Sequence, residues 1–585
     1  MSYPTASAPR GRRSFLAQTS ITGRAMLRKY DLTPTRLVFL AAVGTFFAVF
    51  LVYPLGHVLV NAVWVDGEFT LTFFKLMMAD PKQWAVILNS VNLGIVVTFI
   101  TTLVAVPIAF AMVRCEFRGK ALLNGLLLVP MVLPPFVGAL GMRQVFGRGG
   151  SVNQILAALG ILSEPIDWFG GGMAGVVVMQ VLHLYPIMYL NVAAALANVD
   201  PGLEEAARNV GASGRRLFQR ITFPLMLPGY FAGAAIVFIW SFTDLGTPLI
   251  FEYRGVIPVQ IFESLNSIHE NPMGYALVAL MLIMSAGFFY VSKASLGGRQ
   301  LGMMSRGHPG ASARPVSALW ANVIRAGIVA MTLVAVIPHV SVILMAFSEK
   351  WVDTILPGAF TGGRFVEIFQ HRLTAMSMRN SLYLSFLSTF ADILIGIGLA
   401  YLLSRTRIPG RSLLDTLAMM PLAVPGLIIA FGYVAAFSGT FLDARRNPVP
   451  LLIIAYAIRR LPYMVRSAYA GFQQTSPALE EAAQNVGATP FRALRKITLP
   501  LVYANLIGGG ILCFAFAMLE VSDSLILAAE ERYYPITKAI YDLLSRPDGP
   551  YIASALGVLG MILLMVSLFL AGRFLGRRMG ELFRV

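Results

Sequence analysis

Long apolar stretches dominate this sequence and restrict what the chain can fold into. A helix that crosses a hydrocarbon core of about 30 Å needs about 20 apolar residues, and it satisfies its own backbone hydrogen bonds where no water can reach. Twelve runs meet this requirement approximately, at residues 37–60, 88–113, 121–146, 173–196, 226–250, 275–291, 323–347, 381–404, 413–437, 449–470, 501–527 and 552–575. The sequence therefore predicts an all-α polytopic membrane protein with about 12 transmembrane helices.

The net charge of +17 raises the question of a nucleic-acid partner, but the basic residues follow the predicted topology. With the N-terminus inside, the tails and alternate loops on the cytoplasmic side hold 27 Lys and Arg, against 13 on the opposite side. This asymmetry is the positive-inside pattern of inner-membrane proteins. We expect a multi-pass protein of the bacterial inner membrane, with both termini cytoplasmic, a lipid environment and no nucleic-acid partner. The first run is read as a retained helix rather than a signal peptide.

A long internal repeat divides the chain into two halves. Residues 203–225 (LEEAARNVGASGRRLFQRITFPL) match residues 479–501 (LEEAAQNVGATPFRALRKITLPL) with 14 identities in 23 positions and no gap, at an offset of 276. Upstream, Asn89-Ser90 matches Asn380-Ser381 and Arg114 matches Arg405, at an offset of 291. The difference is assigned to an insertion in the stretch 147–172. The pattern predicts two parallel six-helix repeats.

The repeat sets the predicted domain boundaries. These are a cytoplasmic tail at 1–36, a first transmembrane domain at 37–292, a cytoplasmic linker at 293–320, a second transmembrane domain at 321–576 and a cytoplasmic tail at 577–585. The two cysteines, Cys115 and Cys513, lie at or within predicted helices in different halves, so we expect neither a disulfide nor a metal cluster. The six histidines have no metal-ligand spacing.

The two repeated segments lie in loops between the fourth and fifth helices of each half and predict a compact helical element. Asp200-Pro201 and Ser476-Pro477 each offer an N-cap followed by proline at the first helical position. The acid pairs Glu204-Glu205 and Glu480-Glu481 come in or just after the first turn, where the helix dipole favours negative charge. Gly211 and Gly487 are expected to end this helix, and Ser213 and Thr489 to cap a second one.

The pattern EAA-x3-G-x9-I-x-(L/F)-P occurs at 205–224 and again at 481–500, and it resembles the signature of ABC importer permeases. In that family the element resembles a coupling helix that fits a groove of the ATP-binding subunit and transmits its movement to the membrane helices. The resemblance implies a docking surface made of Glu205, Ala206, Ala207 and Gly211, and of Glu481, Ala482, Ala483 and Gly487. The alternative is a pair of ordinary amphipathic surface hairpins, which two gapless copies disfavour.

The ATP site is not expected in this chain. No G-x-x-x-x-G-K-[ST] phosphate loop occurs, and the Gly119-Lys120 pair lacks the preceding glycine. The resemblance implies a separate cytoplasmic ABC ATPase in two copies, which binds ATP and Mg²⁺, and a periplasmic solute-binding protein. The chain itself is then a transport subunit without a cofactor.

Acidic residues in apolar segments are candidates for the translocation pathway, because ionisable groups in a membrane usually face the protein interior or water. Asp244 and Glu520 occupy equivalent places in the fifth helix of each half, with Asp523 one turn beyond Glu520. They could approach across the pseudo-two-fold axis and attract a cation. They could equally be buried acids bonded to a neighbouring helix or to Arg459, Arg460 or Arg466, and Asp392 is read as structural.

Prolines interrupt the third helix of each half. Pro130, Pro134 and Pro135 in the first half and Pro421 and Pro425 in the second are expected to break these helices. The breaks are candidates for a gate, with a static packing kink as the alternative. The Arg459-Arg460 pair stands where the first half has Leu182-His183, so the halves are not equivalent.

The fused arrangement resembles permeases for ferric iron, with thiamine, 2-aminoethylphosphonate and polyamine systems as relatives, and iron is the expected cargo. A secondary carrier of the major facilitator type shares the topology of twelve helices in two parallel halves, but it does not need an ATPase-docking loop. A membrane enzyme is a third class, and no recurring nucleophile, metal set or acid/base pair supports it. The sequence therefore favours an importer permease that works by alternating access.

Overall fold

A computed structural model describes residues 34–65, 67–169, 172–265, 268, 272–297 and 314–575. The predicted tails, except for residues 34–36, and most of the predicted linker lie outside these residues. The first half consists of α1 (Pro34–Phe47), a π-turn (Ala48–Val52), α2 (Tyr53–Val63), β1 (Trp64–Val65), β2 (Glu68–Phe69), α3 (Thr72–Ala79), α4 (Pro81–Arg114), β3 (Cys115–Glu116), α5 (Lys120–Leu128), a 3₁₀ turn (Val129–Val132), α6 (Pro135–Phe146), α7 (Ser151–Ala158), α8 (Met173–Ala197), α9 (Pro201–Asn209), α10 (Gly214–Leu217), a π-turn (Phe218–Thr222), α11 (Phe223–Thr243), α12 (Gly246–Ile250), α13 (Ile257–Ser264) and α14 (Met273–Gly297).

The second half repeats this order of long and short helices. It consists of β4 (Arg314–Pro315), α15 (Ala318–Ala346), α16 (Gly363–Gln370), α17 (Arg372–Arg405), α18 (Arg411–Ala423), α19 (Gly426–Ala436), α20 (Val449–Gln474), α21 (Pro477–Asn485), α22 (Pro490–Ala493), a π-turn (Leu494–Thr498), α23 (Leu499–Met518), α24 (Ser522–Leu527), a 3₁₀ turn (Glu531–Tyr533), α25 (Ile536–Leu543) and α26 (Gly549–Leu575). β1 pairs antiparallel with β2, and β3 pairs parallel with β4. The fold is therefore helical, as predicted.

Nine helical segments in the described part of the chain are long and apolar enough to cross a membrane, and two bent helix pairs raise this number to eleven. These eleven coincide with eleven of the twelve predicted runs. The twelfth run is α20, which has 26 residues but carries Arg459, Arg460 and Arg466. It is long enough to span, but it is less apolar than the other helices, and its arginines mark it as a helix of the protein interior.

The third run of each half is broken where the prolines predict. In the first half the segments on either side of Leu133-Pro134 meet at 90°, and in the second half those on either side of Val424-Pro425 meet at 99°. Proline lacks the N–H of the helical ladder and disfavours a helical residue before it. Each third run is therefore a bent pair and not a straight helix.

The fifth run of each half is also broken, which the sequence did not predict. α11 ends at Thr243 and α12 begins at Gly246, while α23 ends at Met518 and α24 begins at Ser522. Asp244 and Glu520 therefore lie at equivalent breaks and not within continuous helices. Helix breaks expose backbone donors and acceptors, and both acids lie where such groups are available.

The first helix of each half packs against the bent pair of the other half. A Cβ at Gly141 in α6 would lie 2.7 Å from the carbonyl oxygen of Pro338 in α15. A Cβ at the matching Gly432 in α19 would lie 3.2 Å from Cβ of Pro54 in α2. This reciprocal packing joins the two halves in one hydrophobic core, which contains buried residues of both halves.

Candidate functional site

The first coupling loop consists of α9, α10 and the residues between them. The carboxylate of Asp200 caps α9 by accepting a hydrogen bond from the Gly202 N–H at 2.8 Å. At the other end, Gly211 has φ of 88°, a left-handed conformation that glycine adopts without strain. Its N–H donates to the Arg208 carbonyl, and the Ala212 N–H donates to the Ala207 carbonyl, both at 2.9 Å. These bonds form a Schellman motif, so the helix ends where the sequence predicts.

The second coupling loop, α21 and α22, has the same construction. Ser476 caps α21 through the Ala478 N–H at 3.4 Å, and Gly487 has φ of 94°. The Gly487 and Ala488 N–H groups donate to the carbonyls of Gln484 and Ala483, both at 3.0 Å. The local sequence repeat is therefore a repeat of backbone geometry as well.

The second short helix differs between the copies. Thr489 caps α22 by accepting from the Arg492 N–H at 3.2 Å, as predicted. Ser213 occupies the N-cap position of α10 but makes no capping hydrogen bond with its side chain, so that prediction was wrong. Gly214 follows with φ of 48°, whereas the second copy has Pro490 at this place, and the two backbones enter the helix differently.

The predicted docking residues are mostly exposed. Glu205, Ala206 and Gly211 are exposed, as are Glu481, Ala482 and Gly487. The third small residue is different, because Ala207 is buried within this chain and Ala483 is half-buried. Ala207 is therefore removed from the predicted docking surface, since it packs inside the loop and is not available to a partner.

Sequence reasoning missed the most exposed apolar residues of the coupling loops. Val210 and Val486, directly before the two glycines, are 85% and 87% exposed. Each lies in an identical Asn-Val-Gly triplet of the repeat, which was the available signal. An aliphatic side chain this exposed at a helix end is suited to a partner surface.

A cavity of about 280 Å³ lies between the two halves. It is lined by residues from the bent pairs, the fourth helices and the breaks in the fifth helices of both halves. The lining includes Pro134, Pro135, Pro421 and Pro425 at the bends, and its polar and charged members are Gln180, His183, Thr243, Asp244, Arg459, Arg460, Tyr463 and Ser522. Of the gate candidates, Pro130 is buried in the 3₁₀ turn before the bend and is not part of this lining.

Asp244 is the candidate acid that reaches the cavity. Its carboxylate accepts from the side-chain amide of Gln180 at 3.0 Å, from the Gly246 N–H at 3.1 Å and from the Thr247 N–H at 3.4 Å. Gln180 is in turn held by the Ser241 hydroxyl at 2.5 Å. Asp244 thus bonds to neutral partners and caps α12, while lining the cavity.

Glu520 and Asp523 are bound within their own half. The carboxylate of Glu520 forms ion pairs with both Arg459 and Arg460, and Nη1 of Arg459 lies 3.5 Å from Oδ2 of Asp523. Glu520 and Asp523 do not line the cavity. The arginine-bound alternative therefore holds for Glu520, although its partners do not include Arg466, which pairs with Asp415.

The fourth helices present different side chains to the cavity. At the offset of 276, Arg459 aligns with His183 and Arg460 with Leu184, which corrects the alignment with Leu182-His183 by one residue. Arg459 packs directly on Gly426 at the start of α19, where the first half has Pro135. The first half thus lines the cavity with the imidazole of His183 and the carboxylate of Asp244, and the second half lines it with two arginines.

The connections after the fifth helices lie at the end of the molecule opposite the coupling loops. Ser90 accepts from the Ile257 N–H at 2.7 Å, and the matching Ser381 accepts from the Ile536 N–H at 2.8 Å. These bonds explain the match of Ser90 with Ser381. In α25, Nζ of Lys538 donates to the Leu525 carbonyl at 3.1 Å and lies over the rings of Phe262, Tyr534 and Tyr541. Burial lowers the pKa of Lys538 to about 8, against the opposing effect of Asp542.

Among the described residues, no group of three or more His, Cys, Asp or Glu could hold a metal ion. Cys115 and Cys513 are free thiols.

Comparison with known families agrees with this duplicated architecture. A family model described as "Binding-protein-dependent transport system inner membrane component" matches residues 102–297 and again residues 392–581. The chain belongs to this family. It is a multi-pass inner-membrane permease with two family domains fused in one polypeptide, and the major-facilitator alternative is dropped.

Several relatives of the permease share most of its length. It is 28% identical over 499 residues to the "Putative ferric transport system permease protein FbpB 1" of Haemophilus influenzae, covering 83% of this chain and 77% of the relative. It is 26% identical over 535 residues to the "Ferric transport system permease protein FbpB" of Actinobacillus pleuropneumoniae, covering 89% and 75%.

Other matches are confined to one part of the permease. The "Molybdenum transport system permease protein ModB" of Escherichia coli K12 is 31% identical over 224 residues, which is 37% of this chain and 93% of that protein. A solved bacterial alginate ABC transporter, in complex with an alginate-bound periplasmic protein, covers 45% of this chain with 22% identity and a TM-score of 0.35.

Proposed function

We propose that this permease is the membrane subunit of an ATP-driven importer, and that its two coupling loops receive a separate cytoplasmic ATPase. The observation that carries the proposal is the duplicated element of a capped helix with exposed Glu205 or Glu481, an exposed valine and a left-handed glycine. An exposed apolar side chain and an exposed acid on the same short helix offer both burial and charge complementarity to a partner.

ATP and Mg²⁺ bind to the partner in this proposal, because the sequence contains no phosphate-binding loop. Two equivalent loops in one chain call for two equivalent ATPase sites, supplied by two copies of the ATPase. Closure of the ATPase dimer draws the loops together, turns the pathway outward, and hydrolysis resets it inward. The coupling loops and both termini then lie in the cytoplasm, and a periplasmic solute-binding protein delivers cargo to the opposite end.

Ferric iron is the proposed cargo. Support comes from the relatives that share the fused architecture, since the two ferric transport permeases cover 83% and 89% of this chain. The ion is substrate here and not a resident cofactor. A permease that receives cargo from a binding protein needs a passage more than a tight binding site, and the cavity between the halves meets that need.

An oxyanion is the second candidate cargo, and one observation favours it. Arg459 and Arg460 both line the cavity, and guanidinium groups bind oxyanions well. The molybdenum transport permease resembles only one half of the chain, whereas the ferric relatives extend over both halves. Competition between ferric iron and molybdate in one uptake assay distinguishes the two.

The test is uptake of radioactive ferric iron by proteoliposomes that contain the permease with its ATPase and its binding protein. The variant carries Gly211→Asp together with Gly487→Asp. A Cβ at either glycine meets nothing within 4 Å in this chain, and the backbone strain that a non-glycine residue has at a positive φ is shared by the control variant. Gly160→Asp is the matched control, because Gly160 also has a positive φ of 71° and open space, but lies at the other end of the molecule.

The proposal expects ATP-dependent uptake in the wild type and the control, and none in the double variant, which still folds. Uptake that persists without ATP would contradict the proposal. Loss of uptake in the Gly160→Asp control as well would mean that the coupling loops are not the cause.

A further inference from the structure

The two adjacent glutamates of each coupling loop have opposite environments. Glu205 and Glu481, the first residues of the EAA pattern, are exposed. Glu204 and Glu480, one position earlier, are only 4% and 5% exposed. A carboxylate buried to this extent requires bound donors, and these donors show what the residue connects.

In the first half, Glu204 joins three separate segments of the chain. Its Oε1 lies 2.9 Å from Nη2 of Arg114, the last residue of α4, and accepts a hydrogen bond from the Thr222 hydroxyl at 2.8 Å. Thr222 ends the π-turn that leads into α11. The side chains of Arg114 and Glu204 are each 6% exposed, so the ion pair is inside the protein.

The second half has the same arrangement at matching positions, and we call this set of a buried glutamate, its arginine and its threonine the joint. Oε1 of Glu480 lies 3.1 Å from Nε of Arg405, the last residue of α17, and accepts from the Thr498 hydroxyl at 2.7 Å. Nη2 of Arg405 also donates to the carbonyls of Phe472 at 2.9 Å and Thr475 at 2.7 Å, at the end of α20. The joint therefore ties the coupling helix to the ends of the second, fourth and fifth helices of this half.

We propose that Glu204 and Glu480 are positioning residues that transmit the movement of the coupling helices to the membrane helices. This inference rests on the proposed function. Each carboxylate is bonded at once to the end of the second helix and to the turn that leads into the fifth helix, and charge-assisted bonds between buried groups resist separation. The exposed glutamate contacts the ATPase, and its buried neighbour holds the helices that must follow.

The test separates a transmitting role from a merely structural one by replacing the ion pair with apolar side chains. One variant carries Arg114→Met with Glu204→Met, and a second carries Arg405→Met with Glu480→Met. Apolar replacement of both partners avoids an unpaired buried charge and usually preserves stability. The matched control is Arg466→Met with Asp415→Met, an ion pair that is 45% and 40% exposed at the end of α20 and on α18.

Each variant is purified with its ATPase, and two quantities are measured: the amount of ATPase retained, and the stimulation of ATP hydrolysis by the iron-loaded binding protein. We expect retention to match the wild type and stimulation to fall about tenfold in either variant, while the control keeps both. Full stimulation in the Met pairs would overturn the proposal.

If a Met-pair variant does not fold, a milder variant takes its place. Thr222→Val in the first half or Thr498→Val in the second removes only the hydroxyl group that donates to the buried glutamate. We expect these variants to melt at the wild-type temperature and to lose about half of the stimulation or more. Unchanged stimulation would overturn the proposal in this arm too. A wild-type permease that retains no ATPase would instead contradict the proposed function itself.

Discussion

At the buried ion pairs of the coupling loops the two halves of the permease use the same residue types, whereas around the cavity they do not. Arg114 pairs with Glu204 at 2.9 Å, and Arg405 pairs with Glu480 at 3.1 Å. Around the cavity, Asp244 is bound by a side-chain amide and by backbone N–H groups, while the equivalent Glu520 is bound by two arginines.

The difference follows from what each region contacts. Under the proposed function, the two coupling loops receive two copies of one ATPase and must present the same surface twice. The cavity is a single space with two walls, and nothing requires the walls to match. On that proposal, duplicated geometry marks the end of the molecule that the ATPase moves, and diverged side chains mark the passage.

The largest expected effect comes from removing one partner of a buried Arg–Glu ion pair and leaving the other in place. Arg405→Met leaves the Glu480 carboxylate buried with Thr498 as its remaining donor, and removing one partner of a buried pair costs about 3–5 kcal/mol. Arg114→Met should cost a similar amount if the halves are equivalent here. The measurement is the free energy of unfolding by denaturant titration in detergent.

Arg466→Met is the control for this loss, because the exposed Arg466–Asp415 pair is worth about 0–1 kcal/mol. An effect of Arg405→Met no larger than that of Arg466→Met would contradict the buried joint.

The acids at the two helix breaks should respond differently to neutralisation. Glu520→Gln removes the charge that balances Arg459 and Arg460, so we expect a loss of about 3 kcal/mol in the free energy of unfolding. Asp244→Asn replaces an acceptor among neutral donors and should cost about 1 kcal/mol. Equal losses in the free energy of unfolding for the two variants would contradict the difference between the two cavity walls.

A smaller effect is expected where Arg459 packs on the backbone. Gly426→Ala adds a methyl group at the place of the guanidinium and should cost about 1–3 kcal/mol through displacement of Arg459. Gly327→Ala, in α15 with open space around its Cβ position, should be neutral or stabilising. Thermal unfolding of the two variants is compared, and a Gly426→Ala variant as stable as Gly327→Ala would show that Arg459 is not fixed there.

The smallest effect concerns Lys538, whose counterpart in the first half is Val259. The folded-state pKa of about 8 lies below the ordinary 10.5, so between these values the unfolded chain binds more protons than the folded one. Stability therefore rises as pH increases through this window, and below pH 8 the burial penalty is fully present. From pH 7.5 to 9.5 the melting temperature of the wild type should rise by about 1–3 °C relative to Lys538→Met. A constant or falling difference would contradict the assigned pKa.

Local features of the molecule were predictable because they depend on neighbouring residues. The caps at Asp200, Ser476 and Thr489 and the ends at Gly211 and Gly487 follow from residue type and spacing. The bends in the third helices follow in the same way from proline. Ser213 failed as a cap because Gly214, with its left-handed backbone, follows it in place of the proline found in the second copy.

Features that depend on distant residues were not predictable. Glu204 and Glu480 looked like solvated first-turn acids, yet their partners Arg114 and Arg405 lie 90 and 75 positions away. The break at Asp244 and the pairing of Glu520 with the arginines of α20 also depend on how helices meet. The packing of the first helix of each half against the bent pair of the other half leaves no periodic signal in the sequence.

The central claim is that the two coupling loops are equivalent drivers of one asymmetric passage, and single-loop variants test it most directly. ATP-driven uptake of ferric iron is measured in proteoliposomes for Gly211→Asp alone and for Gly487→Asp alone. The account predicts that each variant loses about tenfold in rate, with the two rates within about twofold of each other. Wild-type uptake in either single variant would contradict it.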